Sequence, residues 1–291
     1  MPNNQNKKLN FVFWGTPDVA SETLEILKQV GYVPSLVITS PDAKKGRGLQ
    51  MQASPVAIFS EKNNIPCLKP EKLDEQFTSK LETRTYNLFV VVAYGKIIPE
   101  EILNMPKLGS INIHYSLLPK YRGASPVESA ILNGDTETGI SIQKMAFKLD
   151  SGDMLAQEKV KISPDEKTPD LRKRLIKIGA ELLVKLLQTP SASGHSPFAG
   201  GEEQDEFQAT FCKKIKKEDG LVNLATEPPS VLYNQFRAYA SWPRTFFFKD
   251  GKRIIITDAI LQDNQFVIKK VLPEGKKEVS WEDFNLRYGV D

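Results

Sequence analysis

The chain has 291 residues, 40% of them apolar, which suffices for one large or two ordinary domains with proper cores. Its formal net charge of +3 balances 39 Lys/Arg against 36 Asp/Glu, too evenly to argue for or against a polyanionic partner. The two cysteines, Cys67 and Cys212, form no C-x-x-C pair, which disfavours a structural disulfide or a zinc site; no metal is expected.

The N-terminus is polar, with no apolar leader segment before the first strand, and no apolar run is long enough to cross a bilayer. A soluble protein of the reducing cytoplasm is therefore expected. In chain order, Leu9 to Trp14 reads as a strand ending in Gly15-Thr16-Pro17, where Thr16 can cap a helix running from about Asp18 to Val30. This turn lacks the G-x-G-x-x-G spacing, so neither NAD nor ATP is expected. Val33 to Thr39 reads as a strand, Ser54 to Asn63 as a helix and Ile65 to Leu68 as a short strand. Tyr86 to Ala93 is a continuous apolar run of the kind found in a central parallel strand, and Leu108 to His114 is the next strand. Pro126 to Asn133 reads as a helix, Ile140 to Phe147 and Met154 to Ile162 as a hairpin-like pair of strands, and Pro169 to Leu187 as an amphipathic helix. Such alternation predicts an α/β fold with a Rossmann-like, mostly parallel sheet.

From Gln188 the composition turns to Ser, Pro and Gly and then acidic, as in a linker. Beyond it come short strand patterns at Ile254–Thr257 and Gln265–Ile268 and a helical pattern at Pro229–Ala238. Residues 208–291 carry 14 Lys/Arg and 11 Asp/Glu, so the whole basic excess lies there. The division expected is 1–189 as a catalytic domain, 190–207 as a linker and 208–291 as a small β-rich domain.

Asn112 and His114 stand two apart on the strand ending at His114, so both side chains share one face. Asp150 opens the later turn Asp150-Ser151-Gly152-Asp153, and only tertiary folding can bring it to His114. An amide, an imidazole and a carboxylate together can hold an oxyanion, move a proton and orient the ring. An imidazole with an unperturbed pKa near ~6.5 exchanges protons around neutrality. Arg122 can pair with an anion or brace its loop; the sequence leaves both open.

The stretch from Asn112 through Ser116-Leu117-Leu118-Pro119 and Arg122-Gly123-Ala124-Ser125-Pro126, followed by Leu149-Asp150-Ser151-Gly152-Asp153, resembles the signature of the 10-formyltetrahydrofolate-dependent formyltransferases. The resemblance extends over nearly the whole chain to the methionyl-tRNA formyltransferases. It is strongest over residues 9–160. It implies that Asn112, His114 and Asp150 are catalytic. It places the folate co-substrate against Val92, Ala93, Tyr94, Gly95, Lys96 and Ile97, with Ser116, Leu117, Leu118 and Pro119 beside them. The basic segment Lys44, Lys45, Arg47 resembles the inserted loop that these enzymes place near the tRNA acceptor end. Ala209–Ile215 resembles the family's junction into the second domain, so Lys213, Lys214, Lys216 and Lys217 are further candidates for contact with methionyl-tRNA. Arg237-Ala238-Tyr239…Trp242-Pro243 resembles another family element, with Trp242-Pro243 expected as a core anchor. The C-terminal domain implied is an OB-like β-barrel, here shortened between Thr257 and Lys270. A monomer is expected. Two alternatives stand beside this reading: an N-formyltransferase acting on an amino-sugar nucleotide, and a folate- or RNA-binding protein without turnover.

Overall fold

A computed structural model describes residues 9–45, 48–82, 84–189, 198 and 200–289. The strands are β1 (Phe11–Gly15), β2 (Leu36–Ile38), β3 (Ala43–Lys45), β4 (Gln50–Gln52), β5 (Cys67–Leu68), β6 (Leu88–Val92), β7 (Ser110–His114), β8 (Arg122–Gly123), β9 (Glu137–Lys144), β10 (Met154–Lys161), β11 (Phe211–Cys212), β12 (Phe246–Lys249), β13 (Lys252–Gln262), β14 (Gln265–Pro273) and β15 (Val279–Ser280). The helices are α1 (Asp18–Gln29), α2 (Pro55–Lys62), α3 (Glu75–Glu82), α4 (Glu100–Leu103), α5 (Pro126–Leu132), α6 (Thr168–Gln188), α7 (Pro229–Ala238) and α8 (Trp281–Tyr288). The chain divides into two compact units, the first of residues 1–122, 139–159 and 175–210, the second of residues 123–138, 160–174 and 211–291.

The first unit is built on a seven-stranded sheet in the order β10-β9-β7-β6-β1-β2-β5. The strands from β5 to β7 pair in parallel, and β9 joins β7 antiparallel. β1, β2 and β6 are wholly buried and carry Val, Ile, Leu, Phe and Trp, as strands covered on both faces must. Trp14 is fully buried among Phe77, Phe89 and Tyr94, with its ring centroid 5.2 Å from that of Tyr94. Burying a large apolar side chain of this kind contributes roughly 1.5–3 kcal/mol. Gly15 ends β1 where nothing larger fits, since a Cβ there would lie 2.8 Å from the Val92 carbonyl oxygen and 2.5 Å from Ala20 Cβ. The carboxyl ends of β1, β6 and β7 thus lie side by side, with Gly15 opposite Val92 and Val91 opposite Asn112. In open α/β sheets this is where ligands bind.

Three local expectations change. Thr16 does not cap α1. Pro17 occupies the N-cap, and the Thr16 hydroxyl donates instead to the Tyr94 carbonyl at 3.0 Å, tying the β1 turn to the loop after β6. The basic segment after β2 is a short antiparallel hairpin of β3 and β4, with Lys44 opposite Met51, rather than an irregular loop. The helix α3, not anticipated from the sequence, buries Phe77 and Leu81 against the sheet core.

In the second unit, β12-β13-β14-β15 form one antiparallel sheet. β13 and β14 meet through Asp263 and Asn264, both in left-handed backbone (φ 50° and 57°), the conformation a two-residue hairpin turn demands. The short segments read from the sequence are therefore parts of strands 11 and 9 residues long, bent by an irregularity near Asp258. Among the described residues these strands make an open four-stranded sheet, not a closed barrel. A core of Leu232, Tyr233 and Phe236 from α7, Phe247 from β12, Ile254 and Ile256 from β13 and Phe284 from α8 covers one face. α8 was not read from the sequence, although Ser280 caps it by accepting from the Asp283 N–H at 3.1 Å. Of the Trp242-Pro243 pair expected as a core anchor, Pro243 is buried, whereas Trp242 is 55% exposed.

Candidate active site

β7 carries both leading candidates because its alternation sets Asn112 and His114 on one face. Its antiparallel partner β9 sets Gln143 opposite Asn112 and Ser141 opposite His114 on that same face. Both β7 side chains are almost buried, Asn112 at 9% exposure and His114 at 5%. No hydrogen bond engages the Asn112 amide among the described residues, so its donors stand available to a substrate.

His114 is held from two sides. Its Nε2 lies 2.9 Å from the Tyr121 carbonyl oxygen, which can only accept, so Nε2 carries a proton. Its Nδ1 faces Asp150 Oδ2 at 3.6 Å. Asp150 arrives from the turn after β9 in left-handed backbone (φ 47°), which aspartate tolerates better than most residues. Gly152 follows where only glycine fits, because a Cβ would lie 2.0 Å from the Lys144 carbonyl oxygen. The other carboxylate oxygen of Asp150 accepts from Gln143 Nε2 at 3.0 Å, and Oδ2 faces the ring.

Behind this pair lies a polar network. Gln204 Oε1 accepts from Arg122 Nε at 3.1 Å and from its Nη2 at 2.8 Å. The two hydrogens of Gln204 Nε2 are shared among three acceptors, Gln143 Oε1 at 3.1 Å, the Asp150 carbonyl at 3.0 Å and the Gly152 carbonyl at 2.7 Å. Arg122 is fully buried and also reaches Glu206 Oε1 at 2.7 Å; Lys148 reaches the other Glu206 oxygen at 2.5 Å. The hydrogen bond from Arg122 and then that from Lys148 pull the exposed Glu206 carboxyl down to about 2. Arg122 takes both roles left open for it, pairing with the Glu206 carboxylate and bracing its loop through Gln204.

The loop after β6 places its residues unequally. Val92 is buried in β6, and Tyr94 is buried in the core beside Trp14, its hydroxyl pushed up to about 12 by desolvation. Ala93, Gly95, Lys96 and Ile97 are exposed, with Ala93 and Gly95 in left-handed backbone that turns the chain sharply outward. Lys96 Nζ donates to the carbonyls of Pro70 and Glu71. In the other stretch, Ser116 is buried and donates to the Lys120 carbonyl at 2.6 Å, and Leu118 is buried with its N–H on Ser141 Oγ. Leu117 and Pro119 are half-buried. This turn supports the end of β7.

Lys44 is exposed on β3; Lys45 lies beside it in the hairpin, and Arg47 lies outside the described residues. Lys213, Lys214, Lys216 and Lys217 are all exposed in the second unit. Lys214 and Trp242 line a small cavity of about 260 Å³ there, together with Arg172 and Glu128, which are ion-paired. Among the described residues no cluster of three or more His, Cys, Asp or Glu side chains could hold a metal, and no helix is long and apolar enough to cross a membrane.

Gln143 and Gln204 were missed in the sequence. Gln143 had a signal, as a polar residue alternating, like Ser141, with the buried Ile140 and Ile142. Gln204, in an acidic linker-like stretch, had none.

A family model described as formyl transferase matches residues 7–187, and one described as formyl transferase, C-terminal domain, matches residues 214–267. The chain is 35% identical to the methionyl-tRNA formyltransferase of Geotalea uraniireducens, over 97% of this chain and 96% of that protein. It is 40% identical to the methionyl-tRNA formyltransferase of Geobacter sulfurreducens, over 84% of this chain and 76% of that one. Among solved structures, the fold is shared with a methionyl-tRNA formyltransferase from Clostridium thermocellum (TM-score 0.62, 16% identity, 94% of this chain and 99% of that one). It is shared equally with an N-formyltransferase from Helicobacter canadensis in complex with folinic acid and dTDP-3-aminofucose (TM-score 0.63, 18% identity, 88% of each chain). Two-domain matches at this identity, on a chain whose β7 and following turn set an amide, an imidazole and a carboxylate together, show that the chain belongs to the methionyl-tRNA formyltransferase family.

Proposed function

We propose that the protein transfers a formyl group from 10-formyltetrahydrofolate to the amino group of initiator methionyl-tRNA. The observation that carries the chemistry is the free amide of Asn112 beside a His114 ring whose Nδ1 faces Asp150. Relatives at 35–40% identity carry the choice of acceptor.

Each side chain has a task in such a transfer. The attacking amine must be neutral, and His114 Nδ1 is the nitrogen placed to take its proton while Asp150 offsets the charge gained. As the new C–N bond forms, the carbonyl oxygen becomes an oxyanion to which Asn112 donates. One such donor is typically worth about 2.7–4 kcal/mol of barrier. As the bond to the folate nitrogen breaks, His114 returns the proton to that leaving nitrogen.

The residues present fit a flat heterocyclic co-substrate. The exposed backbone of Ala93, Gly95, Lys96 and Ile97 leaves the carboxyl end of β6, next to Asn112 on β7, and can hydrogen-bond a ring edge. When bound, the folate supplies the activated formyl group. Tyr94 contributes packing beneath that loop, and Ser116, Leu117, Leu118 and Pro119 contribute the shape of the turn.

For the acceptor, exposed Lys44, with Lys45 and Arg47, and Lys213, Lys214, Lys216 and Lys217 are the cations we assign to tRNA phosphates. The two family-model matches support reading 1–189 as catalytic and 208–291 as tRNA-binding, joined by 190–207. A cytoplasmic location follows from the substrates of translation initiation. The test is formyl transfer to charged initiator methionyl-tRNA, with free methionine and an amino-sugar nucleotide as parallel acceptors. Transfer to the sugar alone would overturn the acceptor assignment and leave the catalytic one.

A further inference from the structure

The segment 200–210 has linker composition, and in it every described residue is exposed or half-exposed except one: Gln204 is 4% exposed. A single buried amide in an exposed stretch has a partner to meet. Its approach is set two residues earlier, where Glu202 and Met154 exchange backbone hydrogen bonds at 2.9 Å in both directions. Gly201 passes so close to Asp153 that a Cβ on it would lie 2.6 Å from that residue's Cβ.

The contacts of Gln204 have a fixed direction. A guanidinium only donates, so Arg122 turns the Gln204 oxygen towards itself. The Gln204 amino group must then point the other way, at the Asp150 and Gly152 carbonyls and at Gln143 Oε1. With its oxygen so engaged, Gln143 presents its own amino group to Asp150 Oδ1. The row of donors begins at a group that cannot accept and ends at a carboxylate, so neither amide can flip without losing partners. Two carbonyls of the Asp150–Gly152 turn and one oxygen of the Asp150 side chain are held by this one row.

We propose that Gln204 is a positioning residue: it sets the Asp150 carboxylate against His114, so that this stretch of the first unit, linker-like in composition, is a built part of the active site. Resting on the proposed formyl transfer, this assigns Gln204 no contact with substrate. Arg122 orients Gln204, and Glu206, shared with Lys148, anchors Arg122. The Asp150 turn needs such a brace because Asp150 sits in left-handed backbone and its neighbours Lys148 and Leu149 are exposed.

The test uses the full chain with Gln204→Ala, and with Gln204→Glu as the variant that keeps the acceptor for Arg122 but loses the amino group. Two readouts are taken. Backbone hydrogen exchange needs no substrate. Faster exchange across residues 148–153 in either variant, with α1 unchanged, is the expected result; unchanged exchange in that turn would overturn the proposal. In the transfer assay, kcat should fall by about tenfold to a hundredfold, as displaced catalytic groups do, with KM for both substrates nearly constant. A variant that loosens the turn yet keeps wild-type kcat also overturns it, because the brace would then be structural only. If the wild type transfers no formyl group while the variants loosen the turn, the positioning of Asp150 stands and the proposed reaction fails.

Discussion

His114 donates its Nε2–H to the Tyr121 carbonyl oxygen at 2.9 Å, and that single bond sets which nitrogen of the neutral ring keeps its lone pair. Nδ1 is left facing Asp150 Oδ2 at 3.6 Å, wider than a hydrogen bond and close enough for an ion pair once the ring is doubly protonated. Tyr121 itself is in left-handed backbone (φ 59°), and Thr210 holds it there, its Oγ1 accepting from the Tyr121 N–H at 2.8 Å and its carbonyl from the Arg122 N–H at 2.8 Å.

Nitrogen-15 spectra of the ring should therefore show the neutral form protonated at Nε2. Thr210→Val, which removes the acceptor for Tyr121 and keeps the volume, should mix in the other tautomer and lower kcat. A ring found protonated at Nδ1 in the wild type would refute the assignment of roles to the two nitrogens.

Asn112→Ala should lower kcat by about a hundredfold to a thousandfold, the usual cost of one oxyanion donor. Because no described residue hydrogen-bonds that amide, the melting temperature should barely move. A large loss of stability with modest loss of kcat would make Asn112 structural instead.

Asp150→Ala should nearly abolish transfer while binding of the folate survives, since Asp150 faces the His114 ring. Equilibrium binding measured beside turnover separates the two. Near-normal turnover would remove Asp150 from the mechanism.

Glu206 makes a prediction about acid. Its carboxyl is held near 2 in the fold, against an ordinary value of 4.5, by the hydrogen bonds from Arg122 and Lys148. A depressed carboxyl stabilises the fold above its unfolded value and loses that contribution as pH falls towards the folded one. Glu206→Gln should therefore be less stable than wild type at neutral pH, and the gap should close between about pH 4.5 and about pH 2. Denaturation midpoints of both proteins across that range measure it; a gap independent of pH would mean that the ion pairs contribute nothing.

Lys44→Gln should weaken tRNA binding about equally for different tRNAs and flatten the dependence of log affinity on log salt by about 1, as loss of one phosphate contact does. An unchanged slope would remove Lys44 from the interface.

Much of the fold could be read from pattern alone. Strands such as β1 and β6 announce themselves as apolar runs because a strand covered on both faces is filled with apolar side chains. The helix α7 was placed at its observed bounds because its Pro at the start and its apolar spacing are local signals. What pattern did not show was long-range. Thr16 has every local mark of a helix cap, yet the Tyr94 carbonyl, brought near by the β1–β6 pairing, is the partner it takes.

The sequence by itself determined the two residues of β7 that share a face, since that follows from the two-residue period of any strand, and it determined the family through motifs that survive as contiguous letters. Tertiary structure alone decided that Asp150 reaches His114, that the tautomer is set by Tyr121, and that Gln204, in what reads as a linker, holds the Asp150 turn. The reason is physical. A strand's facing is written in neighbouring residues, whereas a hydrogen bond between groups 54 residues apart, like that of Gln204 to Asp150, exists only once the sheet has set both ends in place.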